Sequence, residues 1–161
     1  MNVEYINPFI EATKTVIKDT TGYDSNVGKV FLRDSSSFST SEVVVVIGLT
    51  GDMVGQVFIS MDRKNVLNIS SAMVKAISGQ EFTEIDPMCI SAVSELSNMI
   101  LGNATTMLFK RGLLINISPP SIISGKNLFI SNKLKTLCIP INITNESTIE
   151  INVSTEEISK A

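Results

Sequence analysis

The stretch from Asp86 to Gly112 leaves little choice of local structure. Asp86 precedes Pro87, which is a strong helix start. The carboxylate accepts from orphan N–H groups, and proline lacks the donor that would go unpaired. At the far end stand Lys110 and Arg111, cations suited to the negative pole of a helix, and then Gly112, free to turn left-handed. Between them Ile90, Val93, Ile100, Ala104 and Met107 recur at helical spacing and predict a buried stripe. Such a helix is about 35 Å long at ~1.5 Å per residue, the width of a whole small domain. The rest of the chain has to be arranged so as to hold it.

A second set of residues on the same stretch is polar. Ser91, Glu95, Asn98 and Gly102 follow steps of four, three and four, so they share one surface. A carboxylate and a carboxamide one turn apart, with a glycine beyond, make a row that another molecule can approach closely. Glu and Asn at this spacing are common on solvated helices, and spacing alone does not assign them a function. Asparagine, however, prefers caps and turns to helix interiors. Its place in mid-helix costs some stability and points to a use.

Composition narrows the chemistry. With 161 residues, the chain reads as one domain over 1–161. A domain of this size buries about 70% of its unfolded-chain surface. Hydrophobic residues at 43% and charged residues at 18% mark it as globular. Net charge is −3 with no basic block, which argues against nucleic acid as a partner. The N-terminus has neither a basic segment nor an apolar core, so no secretion signal is read there. The longest apolar run, Val43 to Leu49, is far too short for insertion into a bilayer. Cys89 and Cys138 sit in apolar surroundings and read as reduced core residues of a cytoplasmic protein. There is no histidine at all. That removes Ser-His-Asp and Cys-His catalysis and His-ligated zinc, and two cysteines are too few for a zinc ribbon. An enzyme built from this chain works with carboxylates, amides, hydroxyls or groups that a partner brings.

Taken in order, the chain alternates helix and strand signals. Asn7-Pro8 starts a first helix that ends near Gly22, with Asn7 expected at the cap and Glu4 outside it. Val27 to Leu32 reads as a short strand and Asp34 to Ser41 as a serine-rich loop. Val43 to Leu49 is a β-branched run expected at the sheet centre. Thr50-Gly51-Asp52 turns it into a second strand, Val54 to Ser60. The glycines at 48, 51 and 55 lack a Lys-Ser/Thr ending and lie between strands, so they are not a phosphate loop. Asp62 caps a helix from Arg63 to Ile77 with Val66, Ile69, Met73 and Ile77 inward, and Asn65 reads as a further capping residue. After the central helix, strands are expected at Leu114 to Ser118, Leu134 to Ile143 and Ser147 to Val153, with the last eight residues frayed. Pro140 marks an edge or bulge. The expected fold is α+β: about three helices packed on a largely antiparallel sheet of about six strands.

The string Glu95-Leu96-Ser97-Asn98-Met99-Ile100-Leu101-Gly102-Asn103-Ala104 resembles the E-x-x-N-M-I-x-G-N-A signature of the CheX branch of chemotaxis phosphatases, a family that includes CheC and FliY. Two further segments are similar to that family. One is Gly48-Leu49-Thr50-Gly51 followed by Gly55 and Val57; the other is Ser118-Pro119-Pro120 followed by Ile122, Ile123 and Gly125. Glu4 and Asn7 repeat the E-x-x-N spacing, but Pro8 follows at once and places the pair at a helix start. A single intact motif fits CheX rather than the two-site CheC arrangement.

The resemblance implies an enzyme that removes the phosphoryl group from the aspartate of a CheY-type response regulator. An aspartyl phosphate is already activated, so its hydrolysis needs an aimed water more than a strong base. A carboxamide both donates and accepts, and Asn98 would hold that water without adding negative charge. The family pattern gives Glu95 a docking role against a lysine of the regulator. Ser91, Ser94 and Gly102 would widen the contact, with either serine able to supply the hydroxyl that relatives carry ahead of the glutamate. Asn103, five residues beyond Asn98, would support the row without facing the partner. The resemblance implies no cofactor on this chain, Mg²⁺ on the regulator's acidic residues, and a homodimer through a sheet edge. The competing expectation is a non-catalytic adaptor that binds a regulator or a flagellar switch component.

Overall fold

The computed structural model describes residues 3–34, 37–39 and 42–157. A single 3-10 turn, Val3–Tyr5, leads into α1 (Asn7–Thr21), β1 (Ser25–Val27), β2 (Phe31–Arg33) and β3 (Ser37–Ser39). The long hairpin follows as β4 (Val43–Gly51) and β5 (Met53–Met61), and then come α2 (Arg63–Ser78) and α3 (Pro87–Lys110). The chain closes with β6 (Ile115–Ile117), β7 (Ser121–Ser124), β8 (Phe129–Ser131), β9 (Thr136–Ile143) and β10 (Thr148–Glu157).

Three helices and an antiparallel sheet stand as expected, and the sheet has more strands than the sequence suggested. Its order is β1-β9-β10-β5-β4-β6, with β2 also on β9 and β7 also on β4, making eight strands. β3 and β8 pair separately. The eight strands occupy six ranks, because each outer rank is broken in two. The strand expected over Val27–Leu32 is interrupted where Gly28 N–H donates to the Pro140 carbonyl at 2.7 Å. A Cβ on Gly28 would stand 3.0 Å from the proline ring. Pro140 itself lies on β9, one rank in from the edge, at that break. On the other side Pro119 and Pro120 separate β6 from β7, both of which run along β4.

The alternation of β4, β5, β9 and β10 puts Val45, Ile47, Val57, Ile59, Ile141 and Ile151 on the face that the helices cover. α1 adds Phe9, Ala12, Val16 and Ile17, and α3 adds Val93, Leu96, Ile100, Leu101, Ala104 and Leu108. Val44, Phe58 and Cys138 are buried on the opposite face. There Asn132 Nδ2 donates to Ser154 Oγ at 2.6 Å and draws the segment after β8 against the sheet. Cys89 and Cys138 are both free, and the sheet stands between them. Burial pushes the Cys138 thiol up to about 11 and raises that of Cys89 as well. Both are therefore uncharged thiols at neutral pH.

Several local expectations need correction. Asn7 is the first helical residue and not the cap. The cap position is Ile6, already helical at φ −83° and ψ −42°, because the preceding turn runs straight into α1. Glu4 lies outside α1, in that turn, as expected. Ile77 has the phase of the inward residues of α2 but is 89% exposed, because the last turn runs past the end of the core. Asn65 is more than a cap. Its N–H donates to Asp62 Oδ1 at 2.8 Å, while its own Oδ1 accepts from Thr148 N–H at 3.1 Å and ties α2 to β10. β10 runs to Glu157, paired with Met53, where fraying was expected from residue 154. The remainder of that tail, and Ser35, Ser36, Thr40 and Ser41 of the serine-rich loop, lie outside the described residues. Among the described residues no helix is long and apolar enough to cross a membrane.

Leu101, fully buried on α3, and Ile77 make a paired test of this core. Leu101→Ala should lower the unfolding free energy by about 2–5 kcal/mol, and Ile77→Ala should change it by less than ~0.5 kcal/mol. Urea midpoints at constant m-value measure both, and a comparable loss in Ile77→Ala would contradict the exposed end of α2.

Candidate active site

α3 begins as its sequence dictates. Asp86 Oδ1 accepts from Cys89 N–H at 2.8 Å, and Pro87 takes the first position. It ends at Arg111, with Gly112 at φ +88° carrying the chain away. α1 packs along one flank, α2 along another, and the sheet lies beneath. One stripe of the helix is left to solvent.

That stripe carries the polar row. At ~100° per residue Ser91, Glu95, Asn98 and Gly102 fall within an arc of about 60°. Ser91 and Glu95 are exposed, while Asn98 and Gly102 are half-buried. Ser94 is also half-buried and stands about 100° round from Glu95. Ser91 lies within that arc, and Ser94, one turn before Asn98 and about 40° round from it, borders it. Asn103 is exposed on the opposite flank and has no hydrogen-bond partner among the described residues.

Among the described residues, neither the Glu95 carboxylate nor the Asn98 carboxamide has a hydrogen-bond or ion-pair partner. Some amides are engaged, Asn65 with Thr148, Asn132 with Ser154, and Asn145 with the N–H of Ser147, whereas among the described residues Asn103 and the buried Asn152 are not. The chain thus leaves unused, on one exposed stripe, a donor–acceptor group and an anion one turn apart.

Gly102 adds a second sign of an absent partner. A Cβ built there meets nothing within 4 Å. Glycine in a helix interior costs about 1 kcal/mol relative to alanine, and no packing within the chain requires it here. What a bare backbone at 102 gains is room above the helix.

The row is a ridge. Clefts lined by Asp62, Arg63 and Asn68, by Tyr23, Lys75 and Glu81, and by Glu4, Tyr5, Asn7 and Arg111 all lie elsewhere. The last of these brings the E-x-x-N repeat of the N-terminus together with Arg111, whose guanidinium donates to the Glu4 carbonyl. Arg111 is therefore occupied in joining the end of α3 to the start of α1. Among the described residues no cluster of three or more acidic or thiol side chains could hold a metal. An exposed ridge cannot enclose a small molecule.

Comparison with known proteins identifies the family of the chain. A family model described as Chemotaxis phosphatase CheX matches residues 43–144. A Thermotoga maritima protein named CheY-P phosphatase CheX is 30% identical over 158 residues, 96% of this chain and 97% of that one. Among solved structures, a CheX–CheY–BeF3–Mg²⁺ complex from Borrelia burgdorferi contains a chain 30% identical to this one. It matches with a TM-score of 0.80, covering 97% of this chain and 100% of that one. A CheC-like superfamily protein from Shewanella sp. PV-4 matches at a TM-score of 0.83 and 26% identity, with 97% and 99% covered.

Gly102→Ala should stabilise the free protein by about 0.5–1 kcal/mol, since the added methyl meets no neighbour. Thermal unfolding would show it as a rise of about 2–4 °C in Tm. A fall in Tm would mean that something within the chain requires the glycine.

Proposed function

The chain belongs to the CheX family of chemotaxis phosphatases, and from that premise we propose that it hydrolyses the aspartyl phosphate of a CheY-type response regulator in the cytoplasm. The observation that carries the reading is the unpartnered Glu95–Asn98 pair on an exposed ridge, with open space above Gly102.

Hydrolysis proceeds when the regulator lays its phosphorylated pocket over α3. Asn98 enters beside the phosphoryl group. Its carboxamide oxygen accepts from a water and its NH₂ donates to the phosphoryl oxygens, so the water's lone pair points at phosphorus, opposite the leaving carboxylate. The P–O bond to the aspartate breaks, the regulator recovers its carboxylate, and inorganic phosphate departs with the oxygen of the water. An Asp at 98 would repel the phosphoryl oxygens, whereas the amide adds no charge. Alignment of this kind contributes roughly 10³-fold or more in rate. Glu95 makes a charge-assisted hydrogen bond to the regulator's lysine and sets the register in which Asn98 enters. Ser91 and Gly102 extend the contact along the row, Ser94 reaches only its side, and Asn103 stays off the partner. Mg²⁺ belongs to the regulator's acidic pocket and not to this chain.

The whole of 1–161 acts as one unit in this reading. A homodimer through a sheet edge fits it as well. Both outer ranks end in open strands, and on one of them Val27 and Leu32 are exposed. Sedimentation equilibrium should return twice the 17.5 kDa chain mass. The mass of one chain at tens of micromolar would rule the dimer out.

Phosphate release from a phosphorylated CheY-type regulator, with catalytic amounts of this protein added, tests the reaction. Wild type should accelerate release. Asn98→Ala should lower turnover by about 10³-fold while binding stays within a few-fold, and Glu95→Ala should weaken both. Binding without acceleration by wild type would make the protein an adaptor, and equal loss of binding in the two variants would undo the division of roles.

A further inference from the structure

The carbonyl oxygen of Gly102 stands apart among the described residues because it accepts two side-chain hydroxyls, Thr105 Oγ1 at 3.0 Å and Thr106 Oγ1 at 2.9 Å. The helical hydroxyls of Thr13, Thr20, Thr21, Ser78 and Ser97 each turn back on a carbonyl of their own. A hydroxyl bonded to the carbonyl three or four residues earlier tilts that carbonyl and bends the helix axis. Glycine is where a helix resists bending least, because its backbone is the freest. Both features coincide one turn beyond Asn98, where a Cβ built at Gly102 would meet nothing within 4 Å among the described residues.

We infer that Thr105 and Thr106 are positioning residues for the reaction, an inference that rests on α3 being the docking face. Their hydroxyls hold the Gly102 turn in one geometry. They thereby fix the direction of the half-helix that ends at Lys110 relative to the half that carries Ser91, Glu95 and Asn98. A bare glycine lets a partner approach closely but lets the axis wander. Two hydroxyl bonds from the following turn hold that bend in one geometry without placing a side chain at 102. Asn98 lies on the N-terminal side of this turn, and neither hydroxyl bond touches its side chain. Loosening the turn therefore weakens productive docking and leaves the aligned water alone.

The test compares Thr105→Val/Thr106→Val, which keeps the β-branched shape and removes both hydroxyls, with Thr105→Ser/Thr106→Ser, which keeps them. In steady-state dephosphorylation of a phosphorylated regulator, the valine pair should raise KM about 3- to 10-fold with kcat within twofold, and the serine pair should stay near wild type. Amide hydrogen exchange of the free protein over residues 102–107 should be faster in the valine pair alone. An unchanged KM, unchanged exchange in the valine pair, or equal defects in the serine and valine pairs each overturn the inference. Wild type that fails to accelerate phosphate loss is a different failure, that of the phosphatase reading, and it is visible before any threonine variant is compared. The exchange result still decides whether the hydroxyls brace the turn.

Discussion

Everything at the surface of this protein that bears on chemistry depends on the burial of α3. The helix is gripped by α1, α2 and the sheet through Cys89, Val93, Leu96, Ile100, Leu101, Ala104 and Leu108. Each large apolar side chain among them contributes about 1.5–3 kcal/mol on transfer from water. Its caps join that grip at both ends, Asp86 through its carboxylate and Arg111 through the Glu4 carbonyl. A helix held on three sides has little freedom to roll or tilt. The one stripe it shows to solvent is therefore placed with the precision of the core, although none of the stripe is core. The role proposed for Asn98 requires such placement, because small errors in the position of a water-aiming amide cost orders of magnitude in rate.

The local tolerance of the stripe contrasts with that rigidity. Asn98 is a poor helix former, Gly102 a worse one, and Glu95 has no partner among the described residues. A sequence chosen for stability alone would carry alanine, lysine or a glutamate–lysine pair at these places. Departures from local preference that nothing in the fold compensates gather where a second molecule completes the structure. Here Glu95, Asn98 and Gly102 gather on one face of α3.

What could be read from the sequence was what depends on near neighbours. The caps at Asp62 and Asp86, the turn at Gly51 and Asp52 and the polar row of α3 all follow from residues within a few positions of one another, and all are present. Of the expected inward stripe Val93, Ile100 and Ala104 are buried, while Ile90 and Met107 are half-buried and Leu96, Leu101 and Leu108 join the core instead. What escaped depends on distant partners. The break between β1 and β2 is set by Pro140, more than a hundred residues away, and the second bond of Asn65 by Thr148. Ile77 repeats the correct period, but where the core stops is a property of the assembled layers. Ile6 in place of Asn7 at the first cap reflects the turn before α1, which a proline signal alone does not reveal. At the site, the row was legible because it is periodic. The Thr105 and Thr106 hydroxyls were not, since back-bonded threonines look like any others in a helix until the shared carbonyl is seen.

A ridge also decides where specificity must come from. A pocket discriminates by enclosing its ligand, leaving the polar groups of a wrong one unpaired. An exposed helix face has no such means, and a single amide and carboxylate carry too little information to identify one regulator among many folds of the same kind. Discrimination must therefore reside in shape: how closely the partner can come to the backbone at Gly102, and at what angle the two halves of α3 meet it. On this view the chemistry is portable, since any receiver domain with an in-line approach could use Asn98. The bare backbone at 102 and the bonds that brace it then serve the same end as the walls of a pocket, with geometry replacing enclosure.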